Sequence, residues 1–206
     1  RGLSIEIFDD SGFHGCVFRD IWGDPGTTNG DGGVEVHGGE CKFEGCVFIN
    51  GTTNLVMVTG GSAVFKNCTF IGAGDDAVEV QSAEVKMIDC TVKDCEWGVM
   101  CFDGSDVEME GCDFEGLSEG IVVSWSALRI RDCSFNNISG TAIKSDLGGD
   151  LDESGNVFNN VGAEISSTLG PDLVFGGFCM VIPVISGIVA VVILLVKYKR
   201  DGKKDG

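Results

Sequence analysis

The groups in this chain best suited to proton chemistry are the adjacent carboxylates Asp75 and Asp76 in GAGDDAVEV (72–80), with Asp31 in NGDGG (29–33) as a third. Carboxyl groups gathered in one place can serve as general acid and base. An aspartate just before a strand is also ordinary turn chemistry, because its side chain bonds its own backbone. The ten cysteines are the other reactive groups. Six recur with Phe or Val two residues on: Cys16/Phe18, Cys46/Phe48, Cys68/Phe70, Cys90/Val92, Cys112/Phe114 and Cys133/Phe135. Cys41, Cys95 and Cys101 stand off this ladder, and Cys179 lies in a long apolar run. Cys95 falls in a turn and is the candidate for a disulfide or a reactive thiol. The CTVKDC stretch (90–95) does not suit a metal, since Cys90 points inward in the periodic pattern and neither histidine is near it in register. No metal, cofactor, nucleophile elbow or phosphate loop is expected.

The elements that position these groups follow from the spacing. From Cys46 to Cys133 the ladder steps by 22, 22, 22 and 21 residues, a period that marks a stacked solenoid. Each coil carries three apolar alternations. The first is Val34/Val36, Val56/Val58, Val78/Val80, Val99/Cys101 and Ile121/Val123; the second includes Cys41/Phe43, Ala63/Phe65, Val85/Met87, Val107/Met109 and Leu128/Ile130; the third is the cysteine ladder. Period-two alternation separated by Gly, Asn and Asp reads as strand, turn, strand. The expected fold is all-β: a right-handed, three-faced parallel β-helix of about seven 22-residue coils over 1–165, counted on the repeat scale of such solenoids, followed by one transmembrane α-helix. A leucine-rich repeat is excluded by the missing Leu consensus and helical segment. The ladder thiols point inward and are expected to stay free, acting as small buried hydrophobes. In the last coil Asn156 replaces the ladder cysteine, and Glu153 and Ser145 take apolar positions, a polar repeat expected to blunt the end.

This pattern resembles the right-handed parallel β-helix repeats of the pectin-lyase-like superfamily over about 3–165. That fold hosts lyases, hydrolases, adhesins and inert scaffolds, so the resemblance implies fold and leaves activity open. In polygalacturonase-type glycoside hydrolases of this fold an Asn-Thr-Asp motif and an Asp-Asp pair on neighbouring coils supply the carboxylates, and Asp31, Asp75 and Asp76 resemble them. Carboxyls roughly 6.5–9.5 Å apart suit inverting hydrolysis. The chain departs from that pattern. Asp31 is two coils from Asp75, Trp97-Gly98 stands where His-Gly is expected, the later Arg-x-Lys is missing, and His37 falls on the wrong side. The expectation is therefore no enzyme.

Residues 173–196, LVFGGFCMVIPVISGIVAVVILLV, carry no charge. At 1.5 Å per residue they would span roughly 36 Å, enough to cross a bilayer. The linker is 166–172, and the basic tail 197–206 places the C-terminus on the cytosolic or stromal side, with the N-terminal domain lumenal or extracellular. No signal peptide precedes Arg1, so the sequence reads as a mature product. The chain carries net charge -18. With the tail removed, nine bases face thirty acids in 1–196, a balance of -21. Such a surface argues against nucleic acid as a partner.

The outward columns show where the surface departs from polarity. Met100, Phe102, Val122, Trp125 and Leu147 are expected to form one apolar patch on coils 5–7, with Phe102, Trp125 and Leu147 on successive coils of one corner. Contiguous apolar surface marks an interface. Sequons stand at Asn50, Asn67 and Asn137, Asn67 being the poorest candidate because it adjoins a buried cysteine. The expected role is a non-catalytic structural or interaction subunit. Its partners would be the lipid bilayer, through the span, and other membrane-protein subunits of a larger complex such as a photosynthetic or respiratory assembly. The alternative is a cell-surface carbohydrate-binding or glycoside-cleaving module.

Overall fold

The computed structural model describes residues 5–21 and 33–167. Asp31, the 173–196 segment, the basic tail and most of the 166–172 linker lie outside them. Every regular element among the described residues is a strand, as the period-two patterning requires. In chain order these are β1 (Ile5–Ile7), β2 (Ser11–His14), β3 (Val17–Ile21), β4 (Val34–Val36), β5 (Glu40–Glu44), β6 (Val47–Gly51), β7 (Val56–Val58), β8 (Ser62–Lys66), β9 (Thr69–Ala73) and β10 (Asp76–Gln81). They continue as β11 (Glu84–Ile88), β12 (Thr91–Lys93), β13 (Trp97–Phe102), β14 (Asp106–Glu110), β15 (Asp113–Glu115), β16 (Glu119–Ser124), β17 (Ala127–Arg131), β18 (Ser134–Asp146), β19 (Asp150–Ser154) and β20 (Val157–Ser167).

All pairings are parallel and link each strand to the third one on as far as β15, and to the second one on from β16, so the chain coils as a solenoid of about six turns. The second face is a 7-stranded sheet from β2 to β19, seven levels and hence six steps between them. The first and third faces merge into one 13-stranded sheet. They merge because β18 and β20 run unbroken round a corner, where a register shift falls between Ile138 and Thr141. The register on the first face aligns Val34, Val56, Val78, Val99, Ile121 and Ile143. On the second it aligns Phe43, Phe65, Met87, Met109 and Ile130. These are the columns that the alternation predicts.

Side chains of one kind stack in the core. Phe13, Phe43 and Phe65 form one column with centroids 5.0 Å apart, and Phe18, Phe48 and Phe70 a second at 4.8 and 4.9 Å. Offset aromatic stacking adds roughly 0.5–1.5 kcal/mol per pair to the burial itself. The second column breaks at Val92, which pairs with Phe70 and Phe114, and resumes as Phe114, Phe135 and Phe158. Between the columns runs the cysteine ladder, free and buried from Cys46 to Cys133, with Cys16 half-buried at the first level. Cys68 donates to the carbonyl of Phe43 and Cys90 to that of Phe65, at 3.3 and 3.4 Å. Each thiol thus ties its coil to the one before.

The corners are sharp and use left-handed residues, one per level at the two corners of the third face and two at some levels of the corner between the first and second faces, as at Asp103-Gly104 and Leu147-Gly148. Between the second and third faces these include Gly15, Gly45, Asn67, Asp89 and Asp132; at the end of the third face they include Asp20, Asn50, Asp94, Asn137 and Asn160. Gly, Asn and Asp adopt this conformation at least cost. At Gly61, with φ 66°, a Cβ would also stand 2.4 Å from the Gly39 carbonyl oxygen.

The last level carries the polar substitutions, with Glu153 exposed and Asn156 half-buried, beside some apolar contact. Phe158 stacks on Phe135 at 5.3 Å, and Ile165 continues the first-face column while staying 40% exposed. Cys133 N–H donates to Asn156, which replaces the ladder cysteine, at 3.0 Å.

Candidate functional site

The acidic residues converge at the corner where β9 turns into β10. Asp76 begins β10 and aligns with Trp97, the first residue of β13. Asn54, one level earlier, accepts the backbone N–H of Asp76 through Oδ1 at 3.1 Å and donates through Nδ2 to the Glu79 carboxylate. Asn54, Asp76 and Glu79 are all buried, Asp76 to 3% exposure, and Asp76 Oδ1 meets no hydrogen-bond partner. Burial pushes the Asp76 carboxyl up to about 8, with Asp75, Glu79 and Glu96 adding in the same direction. Burial likewise raises Glu79 to about 7, against the opposing Asn54 hydrogen bond and with Asp75 adding to the rise. Removing a carboxylate from water without a cation favours its neutral form.

This geometry separates the two aspartates that the sequence presents together. Asp75 is exposed and Asp76 enclosed, so the pair does not face one groove as two-carboxylate hydrolysis needs. His37 follows β4 at the far end of the first face, where it bonds Thr59 at 2.8 Å and Glu35 at 3.1 Å. Among the described residues no three His, Cys, Asp or Glu side chains stand together so as to hold a metal ion. Sequence reasoning missed Asn54, Glu79 and Glu96. The signal was the register itself, which sets Asn54 next to Asp76 in the stack, one coil earlier, and Glu79 on the outward column beside it.

Cys95 is corrected by its surroundings. It is free and buried, accepts the Ala73 N–H at 3.3 Å and donates to the Lys93 carbonyl at 3.2 Å. Burial raises its pKa, the opposite of what a nucleophilic thiolate needs.

The apolar corner lies between the first and second faces. Trp125 and Leu147 are 43% and 44% exposed, and both are left-handed, with φ 51° and 49°. Ser82 and Asp103 hold the same conformation at the corresponding corners of earlier levels. The Trp125 ring lies along the next turn, 3.3 Å from where a Cβ on Gly148 would stand. Met100 and Val122 pair on the outward side of β13 and β16, half-buried. Phe102 is also half-buried but is displaced from the expected column. It pairs with Gln81 on the outward sheet face, one residue before the corner occupied by Asp103. The corner is thus two apolar residues deep, flanked by an apolar strip on the adjacent face.

A shallow groove of about 260 Å³ runs along the second face, lined by Glu40, Val64, Lys86, Glu108 and Arg129 among others, with no aromatic side chain. Four of its charges are paired, Lys86 with Glu108 at 3.2 Å and Arg129 with Asp106 at 2.7 Å.

Three stacked faces, inward ladders and left-handed corners define a parallel β-solenoid protein. The family model described as the right handed beta helix region matches residues 32–175, and the chain belongs to that family. Among curated proteins none matches.

Proposed function

We propose that this domain is a non-catalytic interaction module. It is an acidic solenoid, held at a membrane by the 173–196 segment, that binds a protein partner through the Trp125 and Leu147 corner. One observation carries the reading. A bulky residue in the left-handed conformation costs roughly 1–2 kcal/mol, and Trp125 and Leu147 in that conformation still leave 43% and 44% of their surface in water. Two successive levels place such residues where earlier levels use Ser82 and Asp103. Strained residues that also keep apolar surface in water point to use. The Met100, Phe102 and Val122 strip extends the surface beside it. The charge balance of -21 over 1–196 favours a partner with basic residues around an apolar pocket over anionic lipid headgroups. The carbohydrate reading has less support, because Asp75 and Asp76 face different surroundings and the groove lacks a stacking aromatic.

The test is purification of the tagged full chain in mild detergent. A partner retained by the native chain and by a second-face variant, Val64→Asn, but lost with Trp125→Asn supports the module. A partner retained equally by all three refutes the assignment of the corner.

A further inference from the structure

We propose that Asn67 is an N-glycan acceptor, and that the glycans of this domain are confined to two of the solenoid's three corners, leaving the Trp125 corner bare. The inference rests on the reading that the domain faces a lumen or the exterior. The chain holds three Asn-x-Ser/Thr triplets: Asn50-Gly51-Thr52, Asn67-Cys68-Thr69 and Asn137-Ile138-Ser139. All three asparagines are exposed and left-handed, with φ 61°, 51° and 57°. The corner explains why an acceptor beside a buried cysteine is accessible. The left-handed residue turns its side chain out, the next residue (Cys68, Ile138) drives into the core, and the third returns to the surface. Acceptor amide and required hydroxyl therefore lie on the same side of the backbone.

The three differ in what already occupies the carboxamide. Asn137 Oδ1 accepts from Asn160 Nδ2 at 2.7 Å, and Asn50 Nδ2 approaches Asp20 at 3.5 Å. Asn67 forms no side-chain hydrogen bond among the described residues. The preceding level offers Gly45 at this corner, and nothing lies within 4 Å of where its Cβ would be. The Asn67 amide thus has a free nitrogen, with a bare glycine at the corner on the preceding level and Asp89 on the following one. In the transfer, Asn67 Nδ2 forms a bond to C1 of the first sugar of a polyprenyl-diphosphate-linked oligosaccharide. The C1–phosphate bond breaks, the diphosphate leaves with the electron pair, and the proton lost by nitrogen passes to a base of the transferase. Asn67 lies at the corner between the second and third faces, Asn50 and Asn137 at the end of the third. The remaining corner, with Ser82, Asp103, Trp125 and Leu147, carries no triplet.

The test expresses the full chain behind a cleavable signal sequence in eukaryotic cells, with a reporter acceptor placed ahead of Arg1. Glycopeptide mapping after peptide N-glycosidase, which converts each occupied asparagine to aspartate, is run on the native chain and on Thr69→Ala. The expected result is a modified reporter, conversion at Asn67 in the native chain, and its loss in Thr69→Ala, which leaves the corner asparagine in place. A modified reporter with Asn67 unconverted overturns the acceptor assignment alone. An unmodified reporter means that the domain does not reach the lumenal side, and overturns both the acceptor and the topology it rests on.

Discussion

Replacing Asp76 by asparagine should change how stability depends on pH more than it changes stability at any one pH. The Asp76 carboxyl has an ordinary value of 3.8 and is pushed to about 8 by its burial at the β9–β10 corner. The folded chain therefore holds a proton that the unfolded chain releases. For a raised acid the contribution is fully present below the unfolded pKa and is lost as pH climbs through the folded one. About four units at about 1.4 kcal/mol each amount to roughly 5 kcal/mol lost between about pH 4 and pH 8. At roughly 2–4 °C per kcal/mol for a domain of this size, that is on the order of 10–20 °C in Tm. The Asp76→Asn variant would keep the backbone N–H bond to Asn54 but carry no titrating proton. Its buried amide adds a constant offset, so the readout is the slope. Thermal unfolding of both proteins from pH 5 to 8.5, followed by far-ultraviolet circular dichroism, should show the Tm of Asp76→Asn gaining steadily on the native chain. A difference that stays flat across that range would refute the argument that a protonated carboxyl is enclosed there. Glu79→Gln should show the same trend over a narrower window, closing near pH 7.

Other perturbations separate the remaining claims. Trp125→Asn should raise Tm by a few degrees, since asparagine tolerates the left-handed corner by roughly 1 kcal/mol over tryptophan, while abolishing partner binding; a lower Tm would show that the ring's packing over Gly148 outweighs the strain. Phe48→Ala, which empties the middle of an aromatic column, should cost roughly 3–5 kcal/mol in denaturant unfolding. Gly61→Ala should destabilise far more than Gly15→Ala, because a Cβ meets the Gly39 carbonyl at 2.4 Å in one case and nothing within 4 Å in the other; equal losses would mean that the corner relaxes freely. In native protein, alkylation followed by mass spectrometry should label Cys16 well before Cys95 or any ladder cysteine from Cys46 onward, and denaturant should release the buried ones.

Most of the solenoid is legible in the sequence because a repeat fixes register by itself: once Cys46 and Cys68 are aligned, Val34 must meet Val56 and Phe43 must meet Phe65. What a linear pattern cannot resolve is the corner, where one extra left-handed residue decides which side chain stands level with which. That is why the pattern sets Phe102 beside Trp125 while Asp103 takes the place. The same limit hides the Asn54, Asp76 and Glu79 cluster, because Asn54 lies on the coil before β10 and meets the two acids only through the stack. Asn67 reads as enclosed because its neighbour Cys68 is buried; at a corner, adjacent residues point opposite ways. The polar substitutions of the terminal coil suggest a blunted end, whereas Phe158 still joins the aromatic column.

The interruption of that column at Val92 has a kinetic meaning. In a solenoid each coil is coupled only to its neighbours, so stability propagates step by step rather than through a common centre. One aromatic run ends at Phe70 and the next begins at Phe114, leaving β12 as the step with the weakest ring contact between two tightly stacked blocks. Amide exchange should therefore divide the domain into two cooperative units that open independently, with the boundary at the coil that also holds Asp76. Ionising that carboxyl would loosen the molecule at its natural seam, opening one block from the other before either unravels.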